Sequence, residues 1–587
     1  MTYTTMCRFA ERPALMLAFA AILALSAGVV SAQSGSPAQA ADQAKATDQA
    51  GKAEVKAPPA PPAPLPPITA KIYTKDNAPS AGKVDELPLK ESVSQYGITW
   101  TFDKAARVGQ FVNGDYYVVG EVTVKMIEPK PLFGDEVKEK INKSQVQEDK
   151  YPGKQARNGS SLNPLPRKPG STEYCRVGFD SRTPEGRYDP ELFAHLPIKM
   201  VPGDSLVSTI SRENSQIKSF GGQHVDPLRV AAVLTCLAEP QPADAFRPSY
   251  CDSRNSKIFL ARNLQRERLL KLPRVEGGPE SLAKYTRQFQ KPWIDLADFG
   301  FAAPVENLPH YGQQIAEKEG EASLLMLMDY PAEEKEALLI NMVQVGIDLY
   351  GVARTGFLWR AHGGLYSGRK WPIILAGVML DDPDMQTPTR KLPNLKFHED
   401  DQTALGPETY RGKTFEKSWT GAKVIFMGHS PYLIKPTKAE EDGDHWPSGW
   451  GLLDVYPPSQ WPDKNKDKGS ILASEGYRRS NTSGCWIPTA LAVRMMHLEK
   501  VWDHDAFFAY VDRWMTEDDL PQIKAIKEAG WFKDVSPELP LGEWPRQGYY
   551  SNSKWVGWVV PLWKKYRNNL PPAADGSKTP NAEETWK

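Results

Sequence analysis

Cysteine is scarce in this chain, with five in 587 residues. Cys7 precedes the first apolar run instead of closing it, so it is not a lipid-attachment cysteine. No His-Glu-x-x-His, Cys-x-x-Cys or His-x-His spacing occurs, which excludes the common zinc frameworks. The Gly-x-Ser-x-Gly elbow and the Gly-x-x-x-x-Gly-Lys-Ser/Thr loop are also missing, which removes the usual serine-hydrolase and nucleotide-binding signatures. Charge of one sign is lacking as well. Lys+Arg and Asp+Glu are 72 each, so the chain is not a globally basic nucleic-acid binder. After the N-terminal apolar run no further stretch reads as long enough to span a bilayer.

What is present begins with an address. Arg8 and Arg12 precede "ALMLAFAAILALSAGVV", and small residues before Gln33 offer a cleavage point after Ala32. Residues 1–32 read as a secretory signal peptide, which predicts a periplasmic or extracellular protein. Residues 33–90 follow as a disordered Ala/Pro-rich linker, too poor in large apolar groups to offset the entropy of ordering. Export leaves Cys175, Cys236, Cys251 and Cys485, enough for two disulfides, of which Cys236–Cys251 is the favoured pairing.

The hydrophobic period then divides the chain. "GITWTF", "GDYYVVGEVTVKMI", "DSLVSTIS" and "RVAAVLTCL" alternate or are β-branched, which predicts strands across residues 91–260 in a β-sandwich-like domain. A connecting segment covers 261–309. From 310 to 570 the period becomes helical, and 571–587 is a flexible tail. "AEEKEALLINMVQVGIDLYGVA" is the strongest helix, apolar over most of its circumference with a narrow strip of Asn341, Gln344 and Asp348. Apolar helices joined by long polar loops predict an α/α-toroid-like domain, with loops meeting at one rim. The fold class expected is therefore α+β, a β-sandwich-like domain followed by an α/α-toroid-like one.

Seven of the nine histidines follow residue 300, and several sit beside Tyr or Trp in Gly-rich loops. "RAHGGLYSGRKWP" carries His362, Tyr366, Arg369, Lys370 and Trp371. "MGHSPYLIK" carries His429, "EDGDHWPSGW" carries His445 and Trp446, and "SEGYRRSNTSGCW" carries Tyr477 and Arg478. Imidazoles, phenols and cations together suit β-elimination from an acidic polysaccharide. A cation neutralises the uronate carboxylate, a base removes the acidified proton, and a phenol protonates the leaving oxygen. The catalytic candidates are His362, Tyr366, His429, His445 and Tyr477. The substrate-binding candidates are Arg369, Lys370, Arg478, Asn341, Gln344, Trp371 and Trp446. No metal or other cofactor is expected. Asp463, Asn465 and Asp467 alternate like a calcium loop, but Gly469 arrives one residue late and no closing acid follows.

An exported chain with a β-module and a Trp-rich helical part whose loops hold Tyr, His and Arg resembles α/α-toroid polysaccharide lyases and toroidal glycoside hydrolases. The β-first order is similar to that of certain inverting hydrolases and phosphorylases. The resemblance implies a polysaccharide or oligosaccharide substrate, while the charge balance and the lack of later apolar runs predict no nucleic-acid partner and no membrane span once the signal is cleaved. Two further readings stand beside the lyase. One is a glycoside hydrolase with paired carboxylates drawn from Asp348, Asp444 and Glu475. The other is a non-catalytic glycan-binding or cell-envelope protein.

Overall fold

The computed structural model describes residues 66–138, 151–165, 176–183, 187–217, 226–296, 303–309, 311–432, 452–461, 483–517, 519–530 and 557–573. The signal segment, most of the linker, Cys175, the Asp463–Asp467 loop and the end of the tail lie outside the described residues. So do His445, Trp446, Tyr477, Arg478, Asp444 and Glu475.

The chain is mixed α+β, with most strands first and most helices after. The four predicted strand segments fall in β2 (Ile98–Gln110), β3 (Tyr116–Val119), β4 (Val122–Glu128) and, further on, β9 (Ser205–Ser211) and β10 (Leu228–Leu237), and β1 (Leu89–Gln95), which the sequence did not suggest, precedes them. Short strands lie between them: β5 (Leu132–Phe133) paired with β6 (Ala156–Arg157), then β7 (Ser160–Leu162) and β8 (Ile198–Met200). Apart from the β5–β6 pair these make one eight-stranded sheet, ordered β7-β9-β10-β3-β2-β4-β8 with β1 on β2. It curls into a half-barrel. The curl brings together strands that are not neighbours in the sheet, as Trp100 on β2 donates its indole N–H to Ser208 on β9 at 2.9 Å.

Period-2 alternation on β10 serves two cores at once. Val230, Ala232, Leu234 and Cys236 face the inside of the curl with Ile98, Trp100 and Phe102. Ala231 and Val233 face the helices, joined there by Val207 of β9. This division is why the expected Cys236–Cys251 bridge is not formed. Cys236 lies in the sheet core with its thiol on the Gly120 carbonyl, and Cys251 lies in the helical core. Neither is in a disulfide, and nor is Cys485.

The helical part contains α1 (Ala283–Phe289), α2 (Gly312–Met326), α3 (Ala332–Arg354), α4 (Lys370–Leu380), the single-turn α5 (His398–Asp401), α6 (Ile487–Met495), α7 (Asp505–Thr516) and α8 (Val559–Tyr566). Residues 403–426 add strands that the sequence did not suggest. They are β11 (Thr403–Leu405) paired with β14 (Val424–Phe426), and β12 (Glu408–Tyr410) with β13 (Lys413–Phe415). By length and composition α3 passes for a membrane span, contrary to the sequence reading, but 94% of its apolar window is buried inside the fold. Each fully buried Leu, Ile or Val contributes roughly 1.5–3 kcal/mol, which explains why α3 forms the centre of the helical core.

Helices approach closely where glycine removes a side chain. A Cβ on Gly346 of α3 would stand 2.2 Å from the Pro372 carbonyl of α4, and one on Gly320 of α2 would stand 2.5 Å from Thr489 Oγ1 of α6. The sheet is riveted to α3 by Arg247. Its guanidinium reaches Asp115 between β2 and β3 at 2.6 Å and Asp348 on α3 at 2.6 and 3.0 Å. Of the polar strip on α3, Gln344 and Asp348 face this rivet and not a wet cleft. Gln344 exchanges two hydrogen bonds with the Arg247 backbone, and Asn341 donates to the Ala337 carbonyl.

Candidate functional site

The loop between α3 and α4 is laid against α5 and the residue after it, almost position by position. Arg360 pairs with Asp401 at 3.0 and 3.2 Å. The Gly363 carbonyl accepts from Gln402 at 2.9 Å. Ser367 Oγ and the Gly368 N–H both donate to Glu399, at 3.2 and 2.6 Å, and Lys370 reaches Asp400 at 2.6 Å. Five consecutive polar residues, "HEDDQ", therefore turn inward onto a loop, where a charge run more often faces solvent. The β11–β14 pair brings in the next segment. β11 continues from α5, and β14 leads directly to His429 and Ser430. Gln402 also donates to the His429 carbonyl at 3.1 Å, and the Gly363 N–H donates to the same oxygen at 2.9 Å. One amide and one backbone bond thus fix His362 and His429 in register.

The two imidazoles meet edge to face, with ring centroids 5.1 Å apart. Ser430 Oγ lies between them, 2.7 Å from Nδ1 of His362 and 2.5 Å from Nδ1 of His429. His362 is half-buried, whereas His429 and Ser430 are buried. Burial pushes His362 down to about 4, and the Arg187 cation from the sheet side pushes the same way. Burial, with His362 beside it, holds His429 well below the ordinary imidazole value. Both rings are therefore neutral near pH 7. Around this pair stand Arg360, stacked over the half-exposed Tyr432 at 4.6 Å, and Tyr311, whose hydroxyl accepts from the Gly364 N–H at 2.8 Å.

A second cluster lies deeper. Glu319 of α2 accepts from Thr489 of α6 at 3.2 Å, and burial with the nearby Glu399 anion holds its carboxyl well above the usual range. Burial raises Glu399 too. One carboxyl oxygen of each, the Gln402 side-chain oxygen and both ring nitrogens of His398 meet no hydrogen-bond partner among the described residues. His398 is packed edge-on to Trp486, and burial pushes it down to about 3. No group of three or more His, Cys, Asp or Glu side chains suited to a metal occurs among the described residues.

The structure brings His362 and His429 together, and it sends the other described candidates elsewhere. Tyr366 packs edge-on to Phe357 inside the helical core. Arg369 is buried against Asp295 at 3.0 Å, Lys370 is buried against Asp400, and Trp371 donates to Ser323 at 2.6 Å. The partly exposed cation of the same loop is instead Arg360, which opens it. Glu319, His398, Glu399, Gln402, Ser430 and Arg187 were not singled out from sequence. A run of five polar residues between Phe397 and a strand was the available signal for three of them.

Comparison with protein-family models, with curated proteins and with solved structures returns no match to this chain.

Proposed function

We propose that this chain is an exported carbohydrate-active enzyme with a toroid-like helical part, cleaving an acidic glycan by β-elimination. The observation that carries this reading is the rim cluster. A neutral, half-buried imidazole lies among two cations, Arg360 and Arg187, and two phenols, Tyr432 and Tyr311. A guanidinium neutralises the uronate carboxylate and acidifies the adjacent C–H. His362 takes that proton on Nε2. The electron pair forms the new carbon–carbon double bond, and the β-carbon–oxygen bond breaks. Tyr432, kept protonated because burial raises its pKa, gives its proton to the departing oxygen.

The test is incubation of the purified chain with a panel of acidic glycans while following the ultraviolet absorbance of the unsaturated uronate. Absorbance should rise, and His362→Gln should lower the rate by about a hundred-fold or more, the low end for a general base. The rate of the native chain should fall as pH drops through about 4, not through the ordinary 6.5, because only neutral His362 accepts a proton.

The deeper carboxyl pair favours a second reading, a glycoside hydrolase in which Glu319, protonated by burial and by Glu399, serves as the acid. That enzyme releases saturated sugar with no change in absorbance. Glycan bound without any product would leave the adhesion reading.

A further inference from the structure

His362 stands in a loop that holds it poorly on its own. Gly363 follows it at φ 59°, a left-handed conformation that glycine enters freely, and Gly364 comes next. Support has to come from outside the loop. On one side of His362 the Ala361 N–H is tied to Asp401 at 3.2 Å. On the other side the work falls to the next residue, Gln402. Its amide nitrogen donates to the Gly363 carbonyl at 2.9 Å and to the His429 carbonyl at 3.1 Å. Two consecutive residues thus bracket His362, and the second of them also grips the segment that carries His429.

The direction of that amide is set by chemistry. Turned over, it would press its oxygen against the same two carbonyl oxygens, so the nitrogen must face them. The anchor is itself held. Gln402 is fully buried, its N–H donates to the His398 carbonyl at 3.2 Å, and its own carbonyl accepts from the Met427 N–H at 2.9 Å, just past β14. Its side-chain oxygen meets no partner among the described residues. A methionine of the same length would exchange that oxygen for an unpaired Gly363 carbonyl. The tally of unpaired groups therefore does not call for an amide, whereas its two donors do a specific job. A backbone bond also joins the segments, from the Gly363 N–H to the His429 carbonyl at 2.9 Å. One bond leaves a glycine free to turn about it. The amide holds the same two residues at a second point, from a third element.

We propose that Gln402 is a positioning residue whose amide nitrogen, bonded at once to the Gly363 and His429 carbonyls, sets the His362 ring against His429. The proposal rests on the reading of His362 as the base and deepens it. A base acts at full rate only when its nitrogen is held in one place relative to the proton it takes.

The test uses the full chain, deuterated except at histidine, and reads the cross-peak between the ring protons of His362 and His429. The cross-peak is assigned by its loss in His362→Gln and in His429→Gln. The native chain should show it, with ring centroids 5.1 Å apart. Gln402→Met keeps length and bulk, removes both donors and should lose it while unfolding stays cooperative. Its kcat on a cleaved glycan should fall about ten- to a hundred-fold with little change in KM. His362 titrates near 4 in the native chain and should move up toward 6.5 as the ring loosens into water. Acid should therefore stop the variant at a higher pH than it stops the native chain. A merely structural role would lower the melting temperature and leave the cross-peak and the pH profile in place, and that result overturns the proposal. A native chain without the cross-peak overturns it with no variant needed. If Gln402→Met does not fold, Gln402→Glu keeps the shape with at most one proton to give, and an undiminished cross-peak there is equally fatal. If the cross-peak behaves as stated and no glycan is cleaved, Gln402 keeps its role and the elimination reading falls.

Discussion

Arg247 and Glu399 are both charged groups withdrawn from water, yet their surroundings differ in kind. Every nitrogen of the Arg247 guanidinium has an acceptor: Asp115 on Nε, Asp348 and the Pro248 carbonyl on Nη1, and Asp348 again on Nη2. Glu399 satisfies one oxygen twice and leaves the other without a partner, next to a His398 ring with none among the described residues. A completed polar knot fixes the seam between sheet and helices and has no capacity left for a ligand. An incomplete one is costly to hold, and here it lies beside the loop that carries His362. Burial alone therefore does not tell Arg247 from Glu399. The completion of their own hydrogen bonds does.

The largest break in that contrast comes from Arg247→Met. It keeps an apolar stem but strands Asp348 and Asp115, two buried carboxylates on different elements. Removing one partner of a buried ion pair costs about 3–5 kcal/mol, and here two acids lose theirs together. Urea unfolding should show a lowered midpoint with little change in slope. A midpoint within experimental error of the native one would mean that the seam is held by apolar packing alone.

Glu319→Gln is expected to act differently, because burial and Glu399 raise the native carboxyl well above its ordinary value and so favour its protonated form. The glutamine keeps an oxygen for Thr489 and removes only the titration. Glu319 has a folded pKa raised above its ordinary 4.5 by burial and by Glu399. The folded chain then holds the proton more tightly than the unfolded one. Its contribution is complete below about 4.5 and is lost as pH rises through the folded value. Melting temperature measured from pH 4 upward should fall in the native chain and fall less in Glu319→Gln. Parallel curves would show that Glu319 is ionised in the fold and that the deep cluster is a satisfied knot after all.

Much of the scaffold was legible because it rests on local pattern. The helix over 332–354 and the strands over 98–110 and 228–237 follow from apolar period and β-branched content, which tertiary packing reinforced. The short strands β11–β14 were hidden because three-residue pairs carry too little periodicity to register. Of the site, His362 and His429 were visible as imidazoles in Gly-rich loops, and the fold sets them side by side. Arg369 and Trp371 look the same in sequence but point to Asp295 and Ser323, partners 74 and 48 positions away that no local pattern reveals. A charge run such as "EKEGE" on α2 more often faces solvent, yet Glu317, Glu319 and Glu321 are all buried. Glycine at 320 was the clue, since it lets α6 lie directly over that face.

The smallest effect tests whether geometry or burial gives the Arg247 seam its weight. Arg390 meets Asp503 through two parallel bonds of 2.9 and 2.6 Å, nearly the same fork that Arg247 makes with Asp348. The difference is exposure: the Arg390 and Asp503 side chains are 61% and 35% exposed, against 1% and 5% for Arg247 and Asp348. At the surface, water and salt screen the charges over about 8 Å, and two long side chains lose rotamer freedom to hold the pair. The hydrogen bonds from Arg390 hold the Asp503 carboxyl below its ordinary value, but solvent takes over most of that interaction once the arginine is gone. Arg390→Ala should leave the melting temperature unchanged within error at physiological salt. A fall comparable to that of Arg247→Met would mean that the forked geometry, and not its enclosure, carries the stability, and the distinction between completed and incomplete buried knots would lose its energetic basis.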